Sequence, residues 1–134
     1  MLIVSTKIIA SLEKVWDFWN DLKQIQNWYF ASSDWHCPKA SNDLQIGQSF
    51  TIRMEAKDGS FGFDFEGEYT KIIENQLIEY ILEDNRKVIT TFEEQENSVL
   101  VTQKFDAETE NSEELQQNGW QAILNNFKKC VEQI

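Results

Sequence analysis

The sequence has few of the residues that metal sites, disulfide frameworks and general acid–base catalysis require. Its 134 residues include one histidine, His36, and two cysteines, Cys37 and Cys130. Two cysteines are too few for a disulfide framework, and a zinc site needs several converging ligands. We therefore expect reduced thiols and predict no metal ion, no cofactor and no catalytic residue.

Basic residues are scarce as well. Twelve Lys and Arg stand against 23 Asp and Glu, which gives a formal net charge of -11. Nucleic-acid binding needs clustered basic side chains that release counterions from the phosphates, so this surface would repel nucleic acid and anionic membranes alike. Solubility is the simplest explanation of the acidity, and a basic protein partner is the alternative.

Long apolar runs and flexible linkers are also missing. The sequence has one proline and five glycines, and no apolar run approaches the roughly 18 residues that would span a bilayer. The N-terminus lacks the basic region of a signal peptide. We expect one domain over residues 1–134, located in the cytoplasm, without membrane insertion, and present as a monomer or weak homodimer.

Alternation of apolar and polar residues with a period of two dominates the first and middle parts of the chain, which predicts β-strands. Six strands are predicted, over residues 2–10, 46–55, 61–70, 78–82, 88–92 and 99–105. The segments between the last five read as turns, at 57–60, 74–76, 83–86 and 95–97. No period holds from Trp28 to Leu44, and this stretch is interpreted as a loop that carries aromatic side chains.

Three helices complete the pattern. Ser11 is a suitable N-cap for a short helix, a second short helix follows at 21–27, and Asn111 or Ser112 caps a long C-terminal helix. The last helix has an apolar stripe at three- and four-residue spacing, formed by Leu115, Trp120, Ile123, Leu124, Phe127, Val131 and Ile134. Only the apolar face of the sheet can cover this stripe, so we predict an α+β fold with a curved antiparallel sheet around the helix.

Short motifs along the chain carry a family resemblance. They are Val15-Trp16, Trp28, Gly47 with Phe50, Gly67-Glu68-Tyr69, Ile78-Glu79-Tyr80, Gly119-Trp120 and Ile123-Leu124. In this order they resemble the START-like (SRPBCC) superfamily, and within it the homologues of the activator of the ninety-kilodalton heat-shock protein ATPase. The resemblance implies a helix-grip fold. Gln48 and Asn75 depart from the family pattern at two turns.

The most informative cluster is aromatic. Large side chains on the concave face of the sheet, together with Phe61, cannot all interdigitate with one helix, so we expect a cavity between the two. Buried tyrosine hydroxyls would need polar partners there, and Trp28, Trp35 and His36 would border the mouth. The predicted cavity residues are Trp28, Trp35, His36, Phe50, Met54, Phe63, Phe65, Tyr69, Tyr80, Phe92, Trp120 and Leu124.

Three functions are compatible with this sequence, since the superfamily that it resembles contains ligand carriers, chaperone cofactors, cyclases and hydrolase-like enzymes. The favoured hypothesis is non-enzymatic binding of a small hydrophobic or amphipathic molecule. The second is a chaperone ATPase-activator-like cofactor or stress-response interaction domain that binds another protein. The third is a cyclase- or hydrolase-like enzyme, for which His36 is the one obvious general acid or base.

Overall fold

The computed structural model describes residues 1–133 and has the predicted α+β architecture. A curved antiparallel sheet wraps the C-terminal helix, and two short helices follow the first strand, which confirms the helix-grip prediction. The elements are β1 (Leu2–Ile8), α1 (Leu12–Asn20), α2 (Leu22–Trp28), β2 (Trp35–Asn42), β3 (Ser49–Ala56), β4 (Gly62–Ile73), β5 (Leu77–Leu82), β6 (Lys87–Gln95), β7 (Ser98–Phe105) and α3 (Glu113–Glu132).

The sheet has the order β1-β7-β6-β5-β4-β3-β2, and every neighbouring pair is antiparallel. Its last three hairpins turn at Asn75, Asn85 and Asn97, which all adopt positive φ angles. Asparagine tolerates this left-handed conformation better than other non-glycine residues, and this explains why these short polar segments act as turns. Because consecutive hairpins connect β3 to β7, the concave faces of these five strands border the same interior space.

The strand count differs from the sequence prediction. Within residues 1–133 the sheet has seven strands rather than six, because β2 lies within the stretch that we interpreted as a loop. This strand pairs only with β3, and its register shifts between His36 and Lys39, around Pro38. An edge strand with a bulge tolerates proline and needs no regular apolar alternation, so the usual strand pattern is absent here.

Helix α3 begins after Ser112, whose hydroxyl accepts a hydrogen bond from the Leu115 N–H at 3.1 Å. Of the two candidate caps, the structure therefore selects Ser112. Leu124, Phe127 and Val131 are fully buried against the sheet and the two short helices. Leu115 departs from the predicted stripe, since it is 59% exposed, and Ile134 lies outside the described residues.

The convex side of the sheet is polar, as the alternation indicates. Arg53 on β3 forms ion pairs with Glu55 at 2.9 Å and with Asp64 on β4 at 3.5 Å. Pairs at this level of exposure are screened by solvent and contribute little to stability. Within residues 1–133 no helix is long and apolar enough to cross a membrane, and no group of three His, Cys, Asp or Glu side chains is arranged to hold a metal ion.

Candidate ligand-binding cavity

An open cavity of about 570 Å³ lies between the concave face of the sheet and the N-terminal half of α3. Pockets that hold drug-sized ligands have volumes of about 300–1,000 Å³. Apolar side chains form most of the wall. They come from the segment after α2, from β2 to β4 and from α3, and they are Tyr29, Phe30, Ala31, Trp35, Met54, Phe63, Phe65, Leu115, Trp120 and Ile123.

The cavity brings together five of the predicted residues: Trp35, Met54, Phe63, Phe65 and Trp120. Trp120 stacks on Phe105 with a centroid distance of 4.0 Å and an interplanar angle of 8°, which fixes the orientation of its ring. Phe65 meets Trp120 edge-on at 5.9 Å. These contacts give the cavity one rigid aromatic wall.

Four other predicted residues surround a separate, tighter cleft. Trp28, Phe50, Tyr69 and Tyr80 line a space of about 30 Å³, which is room for one water-sized molecule. Trp28 is 1% exposed and lies in the core rather than at a mouth. Its Nε1 is buried without a hydrogen-bond partner among residues 1–133.

The remaining three predicted residues do not line the cavity. Phe92 is buried against Trp16 and Trp19 of α1, at centroid distances of 5.2 and 5.6 Å, and Leu124 is fully buried one turn beyond Trp120. His36 follows Trp35 on β2, so the alternation of the strand turns it to the opposite face. There its Nε2 lies 4.0 Å from Glu55 Oε1, and its side chain is 43% exposed.

Phe61 also departs from the sequence interpretation. We predicted it on the concave face with the other aromatic residues, but its side chain is 62% exposed at the tip of the β3–β4 hairpin. It contacts Trp35 at 5.9 Å and Phe63 at 6.3 Å, and Phe63 is itself 40% exposed.

The buried tyrosine hydroxyls lie beside other polar groups of the protein, as their burial requires. Tyr69 donates to Asn42 Oδ1 at 2.5 Å, and Tyr29 and Tyr80 lie close enough to shift each other's pKa. Burial raises the pKa of all three tyrosines well above the ordinary value. They are therefore neutral hydrogen-bonding groups at physiological pH, without the basicity that proton abstraction needs.

Sequence reasoning missed the polar part of the wall, which consists of Ser32, Arg86, Gln103, Glu108, Asn111 and Gln116. A signal existed for Gln103, because it interrupts the apolar alternation of Val99, Val101 and Phe105 on β7. Its Nε2 donates to Thr90 Oγ1 on β6 at 3.2 Å, and both residues are buried. Because the two polar residues satisfy each other, they hold Gln103 in a fixed position at the cavity wall.

Gly119 also lines the cavity, and a Cβ atom added there would meet nothing within 4 Å. Glycine in a helix interior is about 1 kcal/mol less favourable than alanine. We therefore expect Gly119→Ala to raise the free energy of unfolding by about 0.5–1 kcal/mol, measured by urea denaturation. A fall in stability would show that a neighbouring group fills the space.

Comparison with known proteins identifies the family. The family described as Activator of Hsp90 ATPase homolog 1-like protein (AHSA1) matches residues 9–132. The chain belongs to the AHSA1 family. This confirms the resemblance stated from the motifs, and the departures at Gln48 and Asn75 leave family membership intact. Among curated proteins, none matches this sequence.

Solved structures support the same assignment. The AHSA1-like protein from Aeromonas hydrophila is 41% identical, with a TM-score of 0.89 over 98% of this chain and 92% of its own. A protein from Cytophaga hutchinsonii is 47% identical, with a TM-score of 0.85 over 97% of this chain and 90% of its own. The Aha1 dimer from Colwellia psychrerythraea shares the fold at 16% identity, with a TM-score of 0.74 over 99% and 98% of the two chains.

Proposed function

We propose that this AHSA1-family protein binds a small amphipathic molecule in the cavity between the sheet and α3, without catalysing a reaction. The observation that carries the proposal is the cavity of about 570 Å³, whose wall is mainly apolar with a few polar groups. This composition is the usual one for small-molecule sites. The stacked Trp120 and the buried Thr90–Gln103 pair support a preformed site, because neither can rearrange easily to fill it.

The enzyme hypothesis has less support. His36 lies on the opposite face of β2 from the cavity-lining Trp35, beside Glu55. General acid–base catalysis requires the titrating group within hydrogen-bond reach of the substrate, directly or through one water. A substrate in this cavity would not meet that imidazole.

The test of binding uses the neutral dye Nile red, whose fluorescence rises in apolar surroundings. We expect saturable binding with one dye per protein, and we expect Gly119→Leu to weaken it at least tenfold. The Cβ atom of the leucine enters open space, and the rest of its side chain removes volume from the cavity that Gly119 lines. Helix propensity also favours leucine over glycine, so the variant should remain folded.

A matched control separates occlusion from a general effect of the substitution. Asn118 is the neighbouring residue on α3, exposed and outside the cavity wall. Asn118→Leu adds the same side chain and should leave dye binding within about twofold, since it changes no group that touches the ligand. Equal binding by the wild type and Gly119→Leu would contradict the proposed site.

A thermal-shift panel of lipids, flavonoids and polyketide-like compounds then narrows the ligand class.

A second candidate function, an ATPase-activating cofactor of a chaperone, rests on the description of the family. The acidic surface, with a net charge of -11, suits a basic patch on a partner protein. An ATPase assay of the ninety-kilodalton heat-shock protein with excess of this chain discriminates between the two. Stimulation that persists in Gly119→Leu would favour the cofactor function, because a surface interaction does not need the cavity.

A further inference from the structure

The polar part of the cavity wall is chemically asymmetric. Among residues 1–133, Arg86 is the one basic residue that lines the cavity, and Glu108 is the one acidic residue. The Glu108 carboxylate is already engaged, because its Oε1 accepts the Asn111 N–H at 2.7 Å before α3 begins. Gln116 further fixes the Glu108 backbone through hydrogen bonds to its N–H at 2.8 Å and its carbonyl at 3.1 Å. The acidic group is thus held by the protein itself.

Arg86 is positioned by the β5–β6 turn. Asn85 adopts a φ angle of 66°, and the Asp84 carboxylate accepts hydrogen bonds from the Arg86 backbone N–H at 3.3 Å and from its Nε at 2.6 Å. The side chain is 26% exposed, so most of it lies against the protein. Asp84 orients the guanidinium through Nε alone.

The terminal amino groups of Arg86 have no hydrogen-bond partner among residues 1–133. Guanidinium carries five N–H donors in a planar fork, and its terminal pair matches the two oxygens of a carboxylate. A cation held at the wall of a mostly apolar cavity is an expected feature of a site for an amphipathic anion. Asp84 offsets part of the charge through Nε, and such an anion would compensate the terminal amino groups for the hydration they lose at the wall.

On the basis of the proposed function, we propose that the ligand of this cavity carries an anionic group, such as a carboxylate, that binds the terminal amino groups of Arg86. The apolar body of the molecule lies along Phe65 and Trp120. The side-chain amide of Gln103, on β7 beside β6, hydrogen-bonds a further polar atom of the ligand. The ligand class that follows is that of amphipathic anions.

The experiment compares two probes with the same nine-carbon alkyl chain, decanoate and nonan-1-ol, as competitors of Nile red at neutral pH. Their affinity ratio is measured for the wild type, Arg86→Gln, Arg86→Lys and Lys104→Gln. Lys104 is an exposed cation on β7 outside the cavity wall, so its variant makes the same change in net charge. Thermal melting confirms that each variant is folded.

We expect the wild type to prefer decanoate, and the preference to fall about tenfold or more in Arg86→Gln, since hydrogen bonds to charged groups contribute this much or more. Arg86→Lys should retain part of the preference for decanoate, and Lys104→Gln should retain nearly all of it. An unchanged ratio in Arg86→Gln, or an equal fall in Lys104→Gln, would overturn the inference. Displacement of the dye by the alcohol alone would also overturn it, while the proposed function would stand. Absence of saturable dye binding to the wild type would overturn both.

Discussion

Replacing Phe127 with alanine is expected to lower the free energy of unfolding by about 3–5 kcal/mol, the usual loss for a buried phenylalanine. Phe127 is fully buried on α3. Its ring contacts Trp19 and Trp28 at centroid distances of 4.8 Å each, and Phe18 at 6.1 Å, all near edge-to-face. Alanine would remove these three contacts together and leave a void at the junction of the three helices.

Urea denaturation of the purified variant measures this loss. Phe61→Ala is the control, since it makes the same chemical change at a ring that is 62% exposed. We expect that control to lose less than about 1 kcal/mol, because little of its area is withdrawn from water on folding. A loss at Phe127 no larger than that at Phe61 would contradict the packing of α3 on the two short helices.

The fold class could be predicted from the sequence because its signals are local. The two-residue alternation of β3 to β7 and the three- and four-residue spacing on α3 both follow directly from which face is buried. Asparagine-containing turns gave the hairpin positions, and the structure places Asn75, Asn85 and Asn97 at positive φ angles there. None of these features depends on contacts between distant parts of the chain.

Strand β2 could not be predicted in the same way. It is an edge strand whose hydrogen bonds come from β3 and whose side chains face α2, solvent and the cavity in turn. The aromatic residues around it therefore showed no period. Strand β2 forms through its backbone pairing with β3, and backbone pairing by itself requires no periodic pattern of side chains.

The cavity wall was predicted in part for a related reason. Aromatic residues on the concave face share one chemistry, but their depth decides whether they line the cavity, as Phe65 does, or fill the core, as Phe92 does. Depth depends on where α3 crosses the sheet, and the sequence does not specify this crossing. Arg86 lies in a turn, where a charged residue is ordinary, so nothing in the sequence distinguished it from a solvent-exposed arginine.

The second large effect is expected at Gly67, which faces the core from β4. It pairs directly with Phe50 on β3, and the Phe50 ring lies over it, packed edge-on against Tyr80 at a centroid distance of 4.7 Å. A Cβ atom at position 67 would lie 2.7 Å from Phe50 Cε1 and 2.9 Å from Tyr80 Cδ2. These distances are shorter than carbon atoms tolerate, so both rings would have to move.

The rings have little space in which to move, since Phe50 is 5% and Tyr80 is 6% exposed. Overpacking of this kind lowers stability by about 1–3 kcal/mol, which exceeds the gain of about 0.4–1 kcal/mol from a less flexible unfolded chain. Gly67→Ala should therefore destabilise the protein in urea denaturation, whereas Gly119→Ala, the same change in open space, should stabilise it. Equal effects of the two substitutions would show that the clash at Gly67 is relieved without loss, and the arrangement of Phe50 and Tyr80 over this glycine would then be wrong.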